Sequence, residues 1–160
     1  MAIAKLVMDN NMLDRSLDSG CMKKKVLVLC TGNSIRSQMA EGFLKKYRKS
    51  WYIESAGTFP VGLSPLAVEV MAESGIDISK NSSKSVSQFI SSTFDLVITV
   101  CDNARRSCPT FTGDNMTRYI HWSFEDPSVV MGSKDKRLKS FRKTRDLIDE
   151  KINEFLKNYE

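Results

Sequence analysis

Apolar residues along the chain fall into four short runs separated by stretches of helical spacing. The first, KVLVLC ending at Cys30, is continuous and rich in Val and Leu, the pattern of a strand buried on both faces. From Ser37, QMAEGFLKKYRK puts Met39, Phe43 and Leu44 on one side of a predicted helix. WYIESAG predicts a second strand closed by Gly57. Ser64-Pro65 opens a helix, PLAVEVMAES, with proline in its first turn and Gly75 just past its end. The serine- and lysine-rich stretch over 79–92 predicts a surface loop with a short helix at most. DLVITVC is the third strand and MTRYIHW the fourth. From Asp135 to Tyr159 a long amphipathic helix carries Leu138, Phe141, Leu147, Ile148, Ile152, Phe155 and Leu156. Strands alternating with helices predict an α/β fold: a four-stranded parallel sheet in three layers, flanked by helices and joined by right-handed crossovers. Ligands in such sheets bind beyond the C-terminal strand ends, where Cys30 and Cys101 stand.

Composition narrows the class. A chain of 160 residues with 41% hydrophobic and 27% charged residues is an ordinary globular composition. The net charge of +5 reads as a surface with a preference for anions, not as a nucleic-acid face. No apolar run reaches the roughly 20 residues of a membrane helix, so no membrane association is expected. The opening MAIAKLVMDNNMLDRSLDSGCM lacks the order of a signal peptide. Residues 1–22 are expected to be a flexible extension and 23–160 a single domain, monomeric and cytoplasmic. Of four cysteines, at 21, 30, 101 and 108, no pair has short metal-ligand spacing, and His121 is the one histidine. A disulfide framework does not suit a cytosolic chain. Reactive cysteines remain, with Cys21 a spare thiol and His121 a packing or hydrogen-bonding residue.

The loop CTGNSIRS carries the chemistry. A loop that opens a helix turns several backbone N–H groups toward one point, and the helix dipole adds positive charge there. Gly32 and Asn33 are residue types that tolerate left-handed backbone. Arg36 offers a bidentate grip on an oxyanion. Cys30 sits in the same field, which favours its thiolate. Ser34 and Ser37 can hold the loop or donate to the sulfur. The loop Thr31, Gly32, Asn33, Ser34, Ile35, Arg36 and Ser37 is thus expected to bind a tetrahedral anion above a nucleophile.

This loop, its place at the start of the domain and the later Glu125-Asp126-Pro127 resemble the low-molecular-weight protein tyrosine phosphatase superfamily. The resemblance covers about residues 24–158. It implies the phosphatase-like fold with flavodoxin-like winding, Cys30 as nucleophile, Arg36 as oxyanion ligand and Asp126 as general acid. Two chemistries share that superfamily. ITVCDNARRSCP, together with CTGNSIRSQMAEGF, ESAG and HWSFEDP, is very similar to its thioredoxin-coupled arsenate reductases. What this implies is a relay. Cys30 attacks arsenate, Cys101 attacks Cys30 and releases arsenite, Cys108 attacks Cys101, and thioredoxin reduces the last disulfide. No cofactor is implied, and phosphate and sulfate are expected as competing anions. If residues 102–108 form a helix, the two Cα atoms lie about 10.5 Å apart, whereas a disulfide needs about 7 Å or less. Oxidation would then have to unwind the segment.

Two alternatives stay open: a phosphatase of this fold whose active-site cysteine is redox-regulated, and a non-catalytic oxyanion-binding redox sensor. After Asp126-Pro127 come Ser128, Val129, Val130 and Met131, where phosphatases of the fold carry tyrosines. No stacking wall for an aromatic substrate is expected there. Ile35 stands where many relatives have another cysteine. Some related reductases bind potassium through positions matching Asn33, Ser55 and Ser82 and an acidic residue at the place of Lys84. The Lys84 ammonium is expected to replace that ion, leaving no metal requirement.

Overall fold

In β1 (Lys25–Cys30) the five residues after Lys25 are all buried, and Val26 to Leu29 have no exposed surface. Successive strand side chains point to opposite faces, so both faces of this strand are covered. The computed structural model describes residues 23–111 and 116–159. The expected extension over 1–22, with Cys21, lies outside the described residues. β1 pairs in parallel with β2 (Tyr52–Gly57) on one side and β3 (Leu96–Thr99) on the other. β4 (Arg118–His121) pairs in parallel with β3, giving the order β2-β1-β3-β4. This is the four-stranded parallel sheet the pattern predicts.

The helices are α1 (Arg36–Tyr47), α2 (Pro65–Glu73), α3 (Asp102–Arg106) and α4 (Lys134–Asn158). Ser64 caps α2 by accepting from Ala67 N–H, and Gly75 takes a left-handed φ of 74° two residues past its end. Ser133 caps α4 in the same way. Leu138, Phe141, Ile148, Ile152 and Leu156 form the buried stripe of α4. Full burial of each such side chain is worth about 1.5–3 kcal/mol, which holds α4 against α1 and α2. Glu73, at the end of α2, receives Arg142 Nε at 2.9 Å and Arg145 Nη1 at 3.2 Å. The Arg142 hydrogen bond is the main cause that holds the Glu73 carboxyl below the ordinary glutamate range.

Two boundaries depart from the pattern. The third strand ends at Thr99, although Val100 N–H still donates to Leu29 O at 2.9 Å and Cys101, itself extended, caps the helix that follows. That helix has five residues, 102–106, so Ser107 and Cys108 lie beyond it. The serine-rich stretch holds a single 3-10 turn, Val86–Phe89, as expected. Its preceding residues, however, are not an idle surface loop, since they buttress the C-terminal edge of the sheet.

Candidate active site

The loop between β1 and α1 occupies the C-terminal edge of the sheet. Asn33 takes φ 47° and is, among the described residues, the one non-glycine with positive φ. Gly32 does not adopt that conformation and serves a different need: a Cβ on it would lie 2.8 Å from Val61 Cγ2. The strain at Asn33 is held by a dense set of bonds. Its side-chain amide donates to Ser37 Oγ at 2.8 Å and Ser55 Oγ at 2.9 Å. Its Oδ1 accepts from the Lys84 backbone N–H at 2.8 Å and from Gln38 Nε2 at 3.2 Å.

A strap formed by residues 58–64 lies along the loop. Thr58, Phe59, Val61 and Ser64 N–H groups donate to the carbonyls of Cys30, Thr31, Gly32 and Ser34 at 3.2, 2.8, 3.0 and 3.1 Å. With its carbonyls engaged outward, the loop is left to turn N–H groups inward. One of them, Asn33 N–H, reaches Cys30 Sγ at 3.0 Å. Ser37 Oγ is 2.8 Å from the same sulfur. Because Ser37 Oγ accepts from Asn33, its proton is available to that sulfur, so a thiolate at Cys30 has two donors in place. Cys30 is 3% exposed and stands at the base of a cleft of about 550 Å³.

Arg36 is the first residue of α1. Its Nη1 donates to Phe124 O at 2.9 Å, and its Nη2 lies 3.7 Å from Asp126 Oδ2. Asp126 Oδ1 accepts from Ser128 N–H at 2.9 Å and Ser128 Oγ at 2.7 Å, capping the 3-10 turn Pro127–Val129. Cys30, Arg36 and Asp126 all line the one cleft, together with Thr31, Gly32, Ser34 and Ile35. Cys101 is brought against the loop at Thr31. β3 lies directly beside β1, and Cys101 Sγ is 3.4 Å from Thr31 Oγ1. The same sulfur caps α3, accepting from Ala104 N–H at 3.4 Å. Cys108 is half-buried beyond the far end of α3, and no disulfide joins Cys30, Cys101 and Cys108.

Three features were not visible in the sequence pattern. Glu41 is 1% exposed and accepts from Ser55 Oγ at 2.7 Å and Lys45 Nζ at 2.8 Å. Gln38 is fully buried and ties Asn33 to the carbonyl of Ser82 at 3.1 Å. The cleft also has an apolar wall, from Phe59 and Val61 of the strap, 72% and 65% exposed. The stretch Ser128 to Met131 has no aromatic residue, and this wall comes from another segment of the chain. The cation cage fares differently. Lys84 sends its ammonium to Glu54, 3.3 Å away, and gives Asn33 only its backbone N–H. Asn33 Oδ1, Ser55 Oγ and the Ser82 carbonyl each accept a hydrogen bond from a protein donor, and Lys45, not Lys84, pairs with buried Glu41.

A model of the family "low molecular weight phosphotyrosine protein phosphatase" matches residues 25–160. The chain is 44% identical to an arsenate reductase of Halalkalibacterium halodurans over 134 residues, 83% of this chain and 95% of that protein. It is 42% identical to the arsenate reductase of Bacillus subtilis over 136 residues, 84% of this chain and 96% of that protein. Among solved structures, an arsenate reductase in the phosphate binding state matches with a TM-score of 0.71 at 30% identity, covering 86% of this chain and 99% of that one. A low molecular weight protein tyrosine phosphatase from T. tengcongensis matches with a TM-score of 0.69 at 28% identity, covering 84% and 99%. The anion loop, the parallel sheet that carries it and these matches agree: the chain belongs to the low molecular weight phosphotyrosine protein phosphatase family.

Proposed function

We propose that the chain reduces arsenate to arsenite by a three-cysteine relay, with thioredoxin as the electron donor. The loop N–H groups and Arg36 hold the anion, and phosphate and sulfate compete for the same donors. The Cys30 thiolate attacks arsenic, and Asp126 delivers a proton so that one oxygen leaves as water. Cys101 then attacks Cys30 Sγ, the sulfur–arsenic bonding pair stays on arsenic, and arsenite departs. Cys108 attacks Cys101, restoring Cys30 and leaving a Cys101–Cys108 disulfide. Two thiols of thioredoxin reduce that bond, so arsenate takes up two electrons and two protons per turn. The observation that carries this reading is the second cysteine at the mouth of the loop, Cys101 Sγ 3.4 Å from Thr31 Oγ1. Arsenate reductases similar to this chain solved in reduced and in oxidized states support it. The enzyme acts as a monomeric domain in the cytoplasm, where thiols stay reduced.

The test follows NADPH consumption with arsenate, thioredoxin and thioredoxin reductase. Cys108→Ser should complete a first turnover and stop, with a Cys30–Cys101 disulfide visible by mass. Steady cycling of that variant with thioredoxin would sink the relay. A redox sensor would instead switch its disulfide with no arsenate-dependent NADPH consumption.

One observation favours a second reading, aryl phosphate hydrolysis. A tetrahedral anion leaves most of the 550 Å³ cleft unfilled, and Phe59 and Val61 offer an apolar face above Cys30. Phosphatase activity with p-nitrophenyl phosphate that exceeds arsenate turnover, and that falls in Phe59→Ala, would make this the main reaction.

A further inference from the structure

Three side chains outside the anion loop form a chain across the same edge of the sheet. Thr99 closes β3, and its Oγ1 lies 2.7 Å from His121 Nδ1. His121 closes β4, and its Nε2 lies 3.0 Å from Asp102 Oδ1. Ser123 Oγ donates to that carboxylate oxygen at 3.4 Å. A carboxylate only accepts, so Nε2 carries the hydrogen, and in the neutral ring Nδ1 accepts from Thr99. Thr99 is buried, which makes the anchor rigid, and Asp102 is the first residue of α3. None of Thr99, His121 and Asp102 lines the cleft around Cys30. The network lies apart from that cleft.

What it holds is the helix between Cys101 and Cys108. We infer that His121 is a positioning residue that latches the first turn of α3 to the sheet in the dithiol state, and so sets how readily Cys101 and Cys108 close their disulfide. This rests on the relay proposed above. From Cys101, the cap, to Arg106, the last helical residue, the rise is about 7.5 Å, more than the Cα span of about 7 Å across which a disulfide closes, and Cys108 lies two residues further on. Bond formation therefore opens α3 and draws Asp102 off the imidazole. The latch stabilises the dithiol form alone, and its removal favours the disulfide.

The step is readable without arsenate. In a Cys21→Ser/Cys30→Ser background, Cys101 and Cys108 are the two remaining cysteines. Their thiols give up two electrons and two protons to oxidised dithiothreitol, whose own S–S bond opens to two thiols. Titration against oxidised and reduced dithiothreitol gives the equilibrium constant. His121→Leu and Asp102→Ala are each expected to raise it about fivefold, the worth of one such hydrogen bond, or about 20 mV at 29.6 mV per tenfold. The double variant should shift it no further than either single one. Asp102→Asn, which keeps an acceptor for Nε2–H, should stay within about twofold of the parent. In the dithiol state, His121→Leu should also speed hydrogen exchange at Arg105 and Ser107, whose amides bond to Cys101 O and Asn103 O. An unshifted titration, or single shifts that add in the double variant, overturns the latch. A Cys101–Cys108 disulfide missing after arsenate turnover by the unaltered chain would fell the relay, and the titration would still decide the latch.

Discussion

The loop that holds Cys30 and the segment that holds Cys101 and Cys108 meet at one edge of one sheet, yet they are built in opposite ways. The loop is bonded from every side: the 58–64 strap takes its carbonyls, residues 82–84 take its outer face, and buried Glu41 anchors Ser55 beneath it. The segment between Cys101 and Cys108 is built on a five-residue helix capped by a cysteine sulfur, with its aspartate tied to one imidazole. Helices this short are marginal by themselves. An anion site gains from donors already fixed at the moment of reaction. A thiol carrier gains from a segment that opens at small cost.

The sharpest way to break this comparison is in the rigid half. A Cβ on Gly57 would lie 2.5 Å from Thr31 O and 2.9 Å from Asn33 N, both backbone atoms of the loop. Gly57→Ala should therefore displace the loop, lower kcat/KM for arsenate at least about 100-fold and lower stability by about 1–3 kcal/mol in denaturant titration. A variant with full activity would mean the loop is softer than its bonding implies. Next in size is Arg36→Lys. A point charge cannot reproduce a planar fork, so kcat/KM should fall about 100-fold with the fold intact by circular dichroism. Smallest is the ion exchange. Replacing sodium with potassium at fixed ionic strength should leave turnover unchanged, because protein donors already fill the oxygens of Asn33 and Ser55. Strong activation by potassium would show that those donors yield.

Much of this was legible in the residues. The continuous strands and the α4 stripe announce themselves because burial on two faces or on one stripe leaves a period in the sequence. CTGNSIRS was legible because an anion nest needs particular residue types at adjacent positions. What escaped depends on contacts between distant segments. Glycine at 32 and asparagine at 33 look alike as turn residues, and only the approach of Val61 to one and the positive φ of the other separates their roles. Lys84 is near the loop in space, but the direction of its ammonium depends on Glu54, a strand neighbour that no local pattern marks. The apolar wall was missed because Phe59 and Val61 lie on the strap, not beside Asp126.

The cap of α3 has a consequence for timing. The sulfur that accepts Ala104 N–H to start this helix is, on the proposed relay, the sulfur that leaves to attack Cys30. It cannot do both. Chemistry at the first cysteine therefore releases the brake on the second. The segment carrying Cys108 is freed to move when there is an intermediate for it to resolve, and is held in place while Cys30 waits for an anion.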